Sequence, residues 1–356
     1  MKHDLDALAS VGMERGIALL DSDDPDAIHD AIRCFEEAID LRGRLPLAGN
    51  PGFRYGLAGG WINRGDALTR LGGGEHLVEA IKSYSMAIEL LKELPASDDG
   101  LFARRLAIAW MNRGLALEGV KGEASLAEAT ESYRKAVEAL THSDHIAAAG
   151  HKLVLASAWV NLGNALMRST GSEAAEEACA VAGSALSLVA ETESKELAAA
   201  EAALKARHIL CQALTVLLSA PSDDESKGTV FVGRITDTAE DALRLAQSWE
   251  RAGEIRFRPL ATQFFHLTTL VYEKHQPHFL AEFLREHLDP DRVTCLLPVN
   301  ESWLAIGRES LSRVRCGLGR RGFAWLATPE GIRHLKTLKE LHTTEARLQV
   351  LHAAAR

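Results

Sequence analysis

The sequence predicts an all-α fold, a solenoid of paired antiparallel helices, and three observations carry that prediction. Ala and Leu dominate, and none of the ten prolines falls between Pro95 and Pro221; this composition favours helices over strands. The segments WINRGDAL (61–68), WMNRGLAL (110–117) and WVNLGNAL (159–166) recur every 49 residues, preceded at the same interval by GMERGIAL (12–19). Each unit holds two stretches with apolar residues three and four apart, such as Leu106, Trp110, Gly114 and Leu117, then Ala129, Tyr133, Ala136 and Leu140. That spacing is one face of a helix.

Along the chain, Gly16, Gly65, Gly114 and Gly163 mark four registers in the first helix of each pair. The second helix repeats as Phe35, Tyr84 and Tyr133, as Ala38, Ala87, Ala136 and Ala185, and as Ile39, Ile88, Val137 and Leu186. Such columns have a packing cause: where two helix axes approach closely only a hydrogen or a methyl fits, and an aromatic ring fills the flanking hole. Connections fall at GRLPLAGNP (43–51), LGGG (71–74), ELPASDDG (93–100), KGEAS (121–125) and STGS (169–172), all rich in turn formers. A degenerate fifth unit, RHILCQAL (207–214) around Cys211, follows at a spacing of 48. The expected organisation is a repeat array over 1–219, a Pro-, Gly- and charge-rich linker over 220–232, and a helical C-terminal domain over 233–356. In that domain 237–253, 258–275, 278–288 and 301–314 have helical periodicity. A last helix opens at Thr328, with Pro329 at its first position and Glu330 in its first turn. These helices would cap an array that otherwise exposes an apolar end.

The pattern W-x-N-[RL]-G-x-A-L followed by A-x-x-x-[FY]-x-x-A resembles the tetratricopeptide repeat (TPR) family over about residues 10–190, most closely at ASAWVNLGNALMRS (156–169). A typical unit of that family has about 34 residues, so each unit here is longer by roughly 15. The surplus lies mostly between the Ala87 and Trp110 positions, in longer helices and a longer outer connector. The resemblance implies a superhelix whose concave face, lined by the first helix of each pair, binds a peptide. Carried over, that face would present Asn63, Asn112 and Asn161, the apolar column Ile62, Met111 and Val160, with Met13 in the first register, and the post-glycine residues Asp66, Leu115 and Asn164. An amide offers a donor and an acceptor, so a ladder of them can hold an extended backbone. The same asparagines can instead bond neighbouring helices, and both readings stand. No Lys column accompanies them, which disfavours a clamp for a partner's C-terminal carboxylate. Arg15, Arg64 and Arg113 form a further ladder, expected to be solvated or paired with glutamates of the second helices.

Forty Lys and Arg against 49 Asp and Glu give a net charge of −9, which disfavours nucleic acid and acidic membranes as partners. Residues 301–356 carry ten basic and five acidic side chains, or +5, leaving −14 for 1–300. Within that basic segment Arg313, Arg315, Arg320 and Arg321 flank two glycines. They suit an external anion or the chain's own acidic array, and self-pairing is favoured because the acidic surface is tethered. The five cysteines are scattered, with no CxxC pair, and read as reduced, mostly buried thiols. MKHDLDALAS lacks the features of a secretory signal, so a cytoplasmic location is expected. His275, His278 and His287 cluster with Glu273, Glu282 and Glu286, but neither HExxH nor a bundle di-metal ExxH pair occurs. No catalytic residue, metal ligand or cofactor is expected.

The function expected is that of a non-catalytic adaptor or scaffold holding a partner protein or peptide on the concave face, with a homodimer compatible. A regulatory or sensor subunit whose array changes shape on binding a peptide is the alternative, and an enzyme using the C-terminal histidines comes third.

Overall fold

In the computed structural model, residues 2–22, 24–94, 100–120, 122–141, 149–169, 171–220, 225–276, 278–279 and 283 are described. Every element among them is a helix: α1 (Lys2–Leu19), α2 (Pro25–Gly43), α3 (Pro51–Leu71), α4 (Gly74–Lys92), α5 (Leu101–Gly119), α6 (Glu123–Thr141), α7 (Ala149–Arg168), α8 (Ser172–Val189), α9 (Leu197–Ser219), α10 (Glu225–Arg251) and α11 (Arg258–His275). At 18–21 residues, α1–α8 are each about 30 Å long at 1.5 Å per residue. Helices α2, α4, α6 and α8 begin at Pro25, Gly74, Glu123 and Ser172, the same 49 residues apart as the motifs.

Local signals set the ends. Asp24 caps α2 by accepting from the Asp26 N–H, and Asn50 caps α3 by accepting from the Phe53 N–H at 3.3 Å, each followed by Pro at the first helical position. The turn between α3 and α4 needs Gly72 and Gly73 at φ of 66° and 81°, a region that disfavours residues with a Cβ.

The chain divides into two compact units, one of residues 1–170 and 180–189, the other of 171–179 and the residues from 190 on. In the first, helices α1 to α7 pack each on the next in chain order. Its core is the small-and-aromatic set expected: Phe35, Tyr84, Tyr133 and the alanines 38, 87, 136 and 185 are all buried. A Cβ placed on Gly16, Gly65 or Gly114 would fall within 3 Å of the Phe35, Tyr84 or Tyr133 ring respectively. The glycines are therefore contact points of the two helices of a pair.

In the second unit α9 packs on α10 and α10 on α11. Arg207 makes a two-pronged ion pair with Glu193 at 2.8 and 2.9 Å. Cys211, at the centre of the degenerate fifth motif, is fully buried, and burial pushes its thiol up to about 12. The linker expected over 220–232 is corrected in its second half, because α10 already begins at Glu225. Val232, Ile235 and Ala239 are buried, at helical spacing, and their burial outweighs the roughly 1 kcal/mol that a glycine such as Gly228 costs within a helix.

Candidate protein-binding face

The odd-numbered helices of the first unit carry the residues that the motif singles out. Ile62, Met111 and Val160 are only 6%, 8% and 3% exposed, so this apolar column belongs to the core and not to a groove wall. A helix inside an array has neighbours on two sides, its own pair and the adjoining pair, and the column faces them. Asn63, Asn112 and Asn161 are half-buried, Asp66 likewise, and Asn164 is exposed.

Two of these residues meet. The Asn112 amide on α5 donates to Asp66 Oδ1 on α3 at 2.8 Å, and the Tyr84 hydroxyl on α4 donates to the same oxygen at 2.7 Å. Thr69, whose hydroxyl donates to the Gly65 carbonyl, lies 3.2 Å from the Tyr84 oxygen. Burial raises the Asp66 carboxyl above its ordinary value, partly offset by the hydrogen bonds from Tyr84 and Asn112 and by the charge of Arg70. For Asn112 the helix-bridging reading thus holds. Asn63 and Asn161 make no side-chain hydrogen bond among the described residues, because the positions matching Asp66 one repeat back are Ile17 and Leu115. Above Asp66 opens a cleft of about 360 Å³, bordered by Leu20 of α1's end, Thr69, Arg70, Tyr84, Asn112 and Leu115. The column that follows the register glycines reads Ile17, Asp66, Leu115 and Asn164, and Ile17 and Leu115 are 50% and 48% exposed.

The opposite side, where the even-numbered helices lie, holds two further clefts. One, of about 780 Å³, lies among α2, α3 and α4 over Trp61 and Arg64. The other, of about 370 Å³, lies among α4, α5 and α6 over Trp110 and Arg113. They are copies one repeat apart: Ile88, Glu89, Glu128 and Glu131 line the second where Ile39, Asp40, Glu79 and Lys82 line the first.

Their arginines are consumed internally, as one of the two sequence readings has it. Arg64 bonds Glu36 at 2.9 Å and the Ser83 hydroxyl at 2.7 Å, and Arg113 bonds Glu128 at 3.1 Å and the Ser132 hydroxyl at 2.7 Å. Each guanidinium also lies over its own tryptophan, at 5.9 and 5.8 Å. In the fourth repeat the arginine and serine positions are taken by Leu162 and Val181, both buried, an apolar substitute for the polar pair. Arg15 has no partner among the described residues.

Among known proteins, the chain is similar to the nuclear import adaptor Nro1 of S. pombe. The similarity covers 83% of this chain and 99% of that one, at 14% sequence identity and a TM-score of 0.44. No family model matches the chain, and no curated protein does.

Of the C-terminal histidines, His275 and His278 are exposed, while His287, Glu282 and Glu286 lie outside the described residues. So do Arg313, Arg315, Arg320 and Arg321. Among the described residues no cluster of three or more His, Cys, Asp or Glu could hold a metal ion, and no helix is long and apolar enough to cross a membrane. The sequence reading missed the pairing of Tyr84 with Asp66. A signal was present: the registers with tyrosine carry an acid on the paired helix, Asp66 or Glu118, whereas Phe35 faces a helix with Ile17 and Leu20 at those positions. Burial, and after it the charge of Glu118, raises the Tyr133 hydroxyl.

Proposed function

We propose that the chain is a non-catalytic adaptor of the tetratricopeptide-repeat type, cytoplasmic, which holds a segment of a partner protein against the face formed by α1, α3, α5 and α7. The observation that carries the reading is the column after the register glycines. It places two half-exposed aliphatic side chains, Ile17 and Leu115, one repeat before and one repeat after Asp66, and Leu115 borders the Asp66 cleft together with Leu20. Apolar side chains bordering a pocket with a fixed polar group are the usual make-up of a recognition surface. On the even-helix side the charged groups of each cleft already satisfy one another, so a partner there would have to displace existing ion pairs.

The test places a photo-crosslinking amino acid at position 17 or 115, and at Met86 on the even-helix side as the contrast. Met86 is 48% exposed, so the comparison is matched for accessibility. In native extract, crosslinks from 17 and 115 to one common partner, absent from 86, are expected. Crosslinks from 86 alone would overturn the assignment of the face.

A further inference from the structure

Both hydrogen bonds to Asp66 end on one oxygen: Tyr84 and Asn112 each donate to Oδ1, and Oδ2 accepts none among the described residues. The carboxylate is therefore held from α4 and α5 in a fixed orientation with half its acceptor capacity unused. It borders a cleft otherwise walled in part by Leu20 and Leu115. Arg70, the nearest cation at this site, points a guanidinium N–H at the Leu20 carbonyl, where it closes the end of α1.

The repeat itself does not require an acid here, since Ile17 and Leu115 occupy the equivalent positions. Burial opposes the charge of this group, and it makes no ion pair of hydrogen-bonding length among the described residues, which marks it as a candidate for an external partner.

We infer that the Asp66 cleft receives the cationic head of a lysine or arginine in the bound partner segment, with its aliphatic stem lying along Leu20 and Leu115. The inference rests on the odd-helix face being the partner surface. Long basic side chains match this lining, because their stems cover apolar surface while the head seeks a carboxylate. A charge-assisted bond to an anchored carboxylate is also stronger than one between neutral groups, and the anchoring by Tyr84 and Asn112 lowers the ordering cost of binding. The charge of Asp66 disfavours a carboxylate or phosphate at its own oxygens, and Arg70 on the same rim donates to the Leu20 carbonyl.

The experiment titrates the full chain with two peptides, acetyl-Ala-Leu-Lys-Leu-Ala-amide and its analogue with norleucine for lysine, which keeps the stem and removes the ammonium. Binding is read by NMR from the Asn112 side-chain amide and the Leu115 methyls. The lysine peptide is expected to bind at least tenfold more tightly, and Asp66→Asn to abolish that preference. The substitution retains an acceptor oxygen for Tyr84 and Asn112, and circular dichroism checks that the fold is kept. Equal affinity of the two peptides, an undiminished lysine preference in Asp66→Asn, or no movement of the Asn112 amide at millimolar peptide would each overturn the inference. If both peptides move the Leu115 methyls equally, the cation site falls while the face assignment stands. A lysine preference together with crosslinks only from position 86 would overturn the face assignment for the native partner alone.

Discussion

Asp66 carries a measurable cost. Its carboxyl is raised above the ordinary value of 3.8 by burial, so the folded state binds the proton more tightly than the unfolded chain does. The stabilising contribution of that protonation is complete below the ordinary value and is lost as pH rises through the raised one. Asp66→Asn cannot ionise and escapes this loss. The charged and titratable groups facing Asp66 are Tyr84 and Arg70, and burial pushes the Tyr84 hydroxyl far above that window. The thermal midpoint of Asp66→Asn is therefore expected to match the parent in acid and to exceed it at neutral pH. A variant less stable at neutral pH than the parent would show the charge to be structural. At this scale the sequence was only partly legible. The Asn112–Asp66 bond joins residues 46 positions apart, one repeat less one turn of helix, an offset that the 49-residue columns do not display. Ile62, Met111 and Val160 misled because a repeated apolar residue recurs identically whether it faces a groove or the adjoining helix pair.

Between elements, the contact of glycine with ring fixes how closely the helices of a pair approach. A Cβ on Gly114 would lie 2.5 Å from the nearest Tyr133 ring carbon, and Tyr133 is fully buried, so the ring cannot swing into solvent. Gly114→Ala is expected to cost about 1–3 kcal/mol through overpacking, read as a lower denaturation midpoint. In the fourth repeat Ala182 occupies the aromatic position. Gly163→Ala is accordingly expected to cost less, and equal losses at the two sites would refute the ring as the cause. These columns were legible from sequence because a small residue and a ring at constant spacing have few other physical explanations. The start of α10 was not. Ser, Asp, Gly and charge over 220–232 read as a linker, and only the burial of Val232 and Ile235, which depends on a packing neighbour, extends the helix back to Glu225. Arg64 and Arg113 act at this scale too, since each bonds residues on both flanking even helices or their equivalents.

For the molecule as a whole, the 49-residue period gave the all-α class and the order of the helices in the first unit. It could not say which side of the array is free of internal pairing. That distinction rests on a few side chains: the ion-paired arginines of the even-helix clefts against Oδ2 of Asp66, which accepts no hydrogen bond among the described residues, and the half-exposed Ile17 and Leu115. A further consequence follows from the packing of α1 to α7, each helix on the next in chain order. Contacts between near neighbours in the chain close short loops and require little search, which is the condition for rapid folding. As the polypeptide leaves the ribosome, α2 can pack on α1 and α3 on α2 without waiting for distant parts of the chain. Each new helix then has its apolar partner waiting, and little greasy surface stays uncovered while the rest of the chain is still being synthesised.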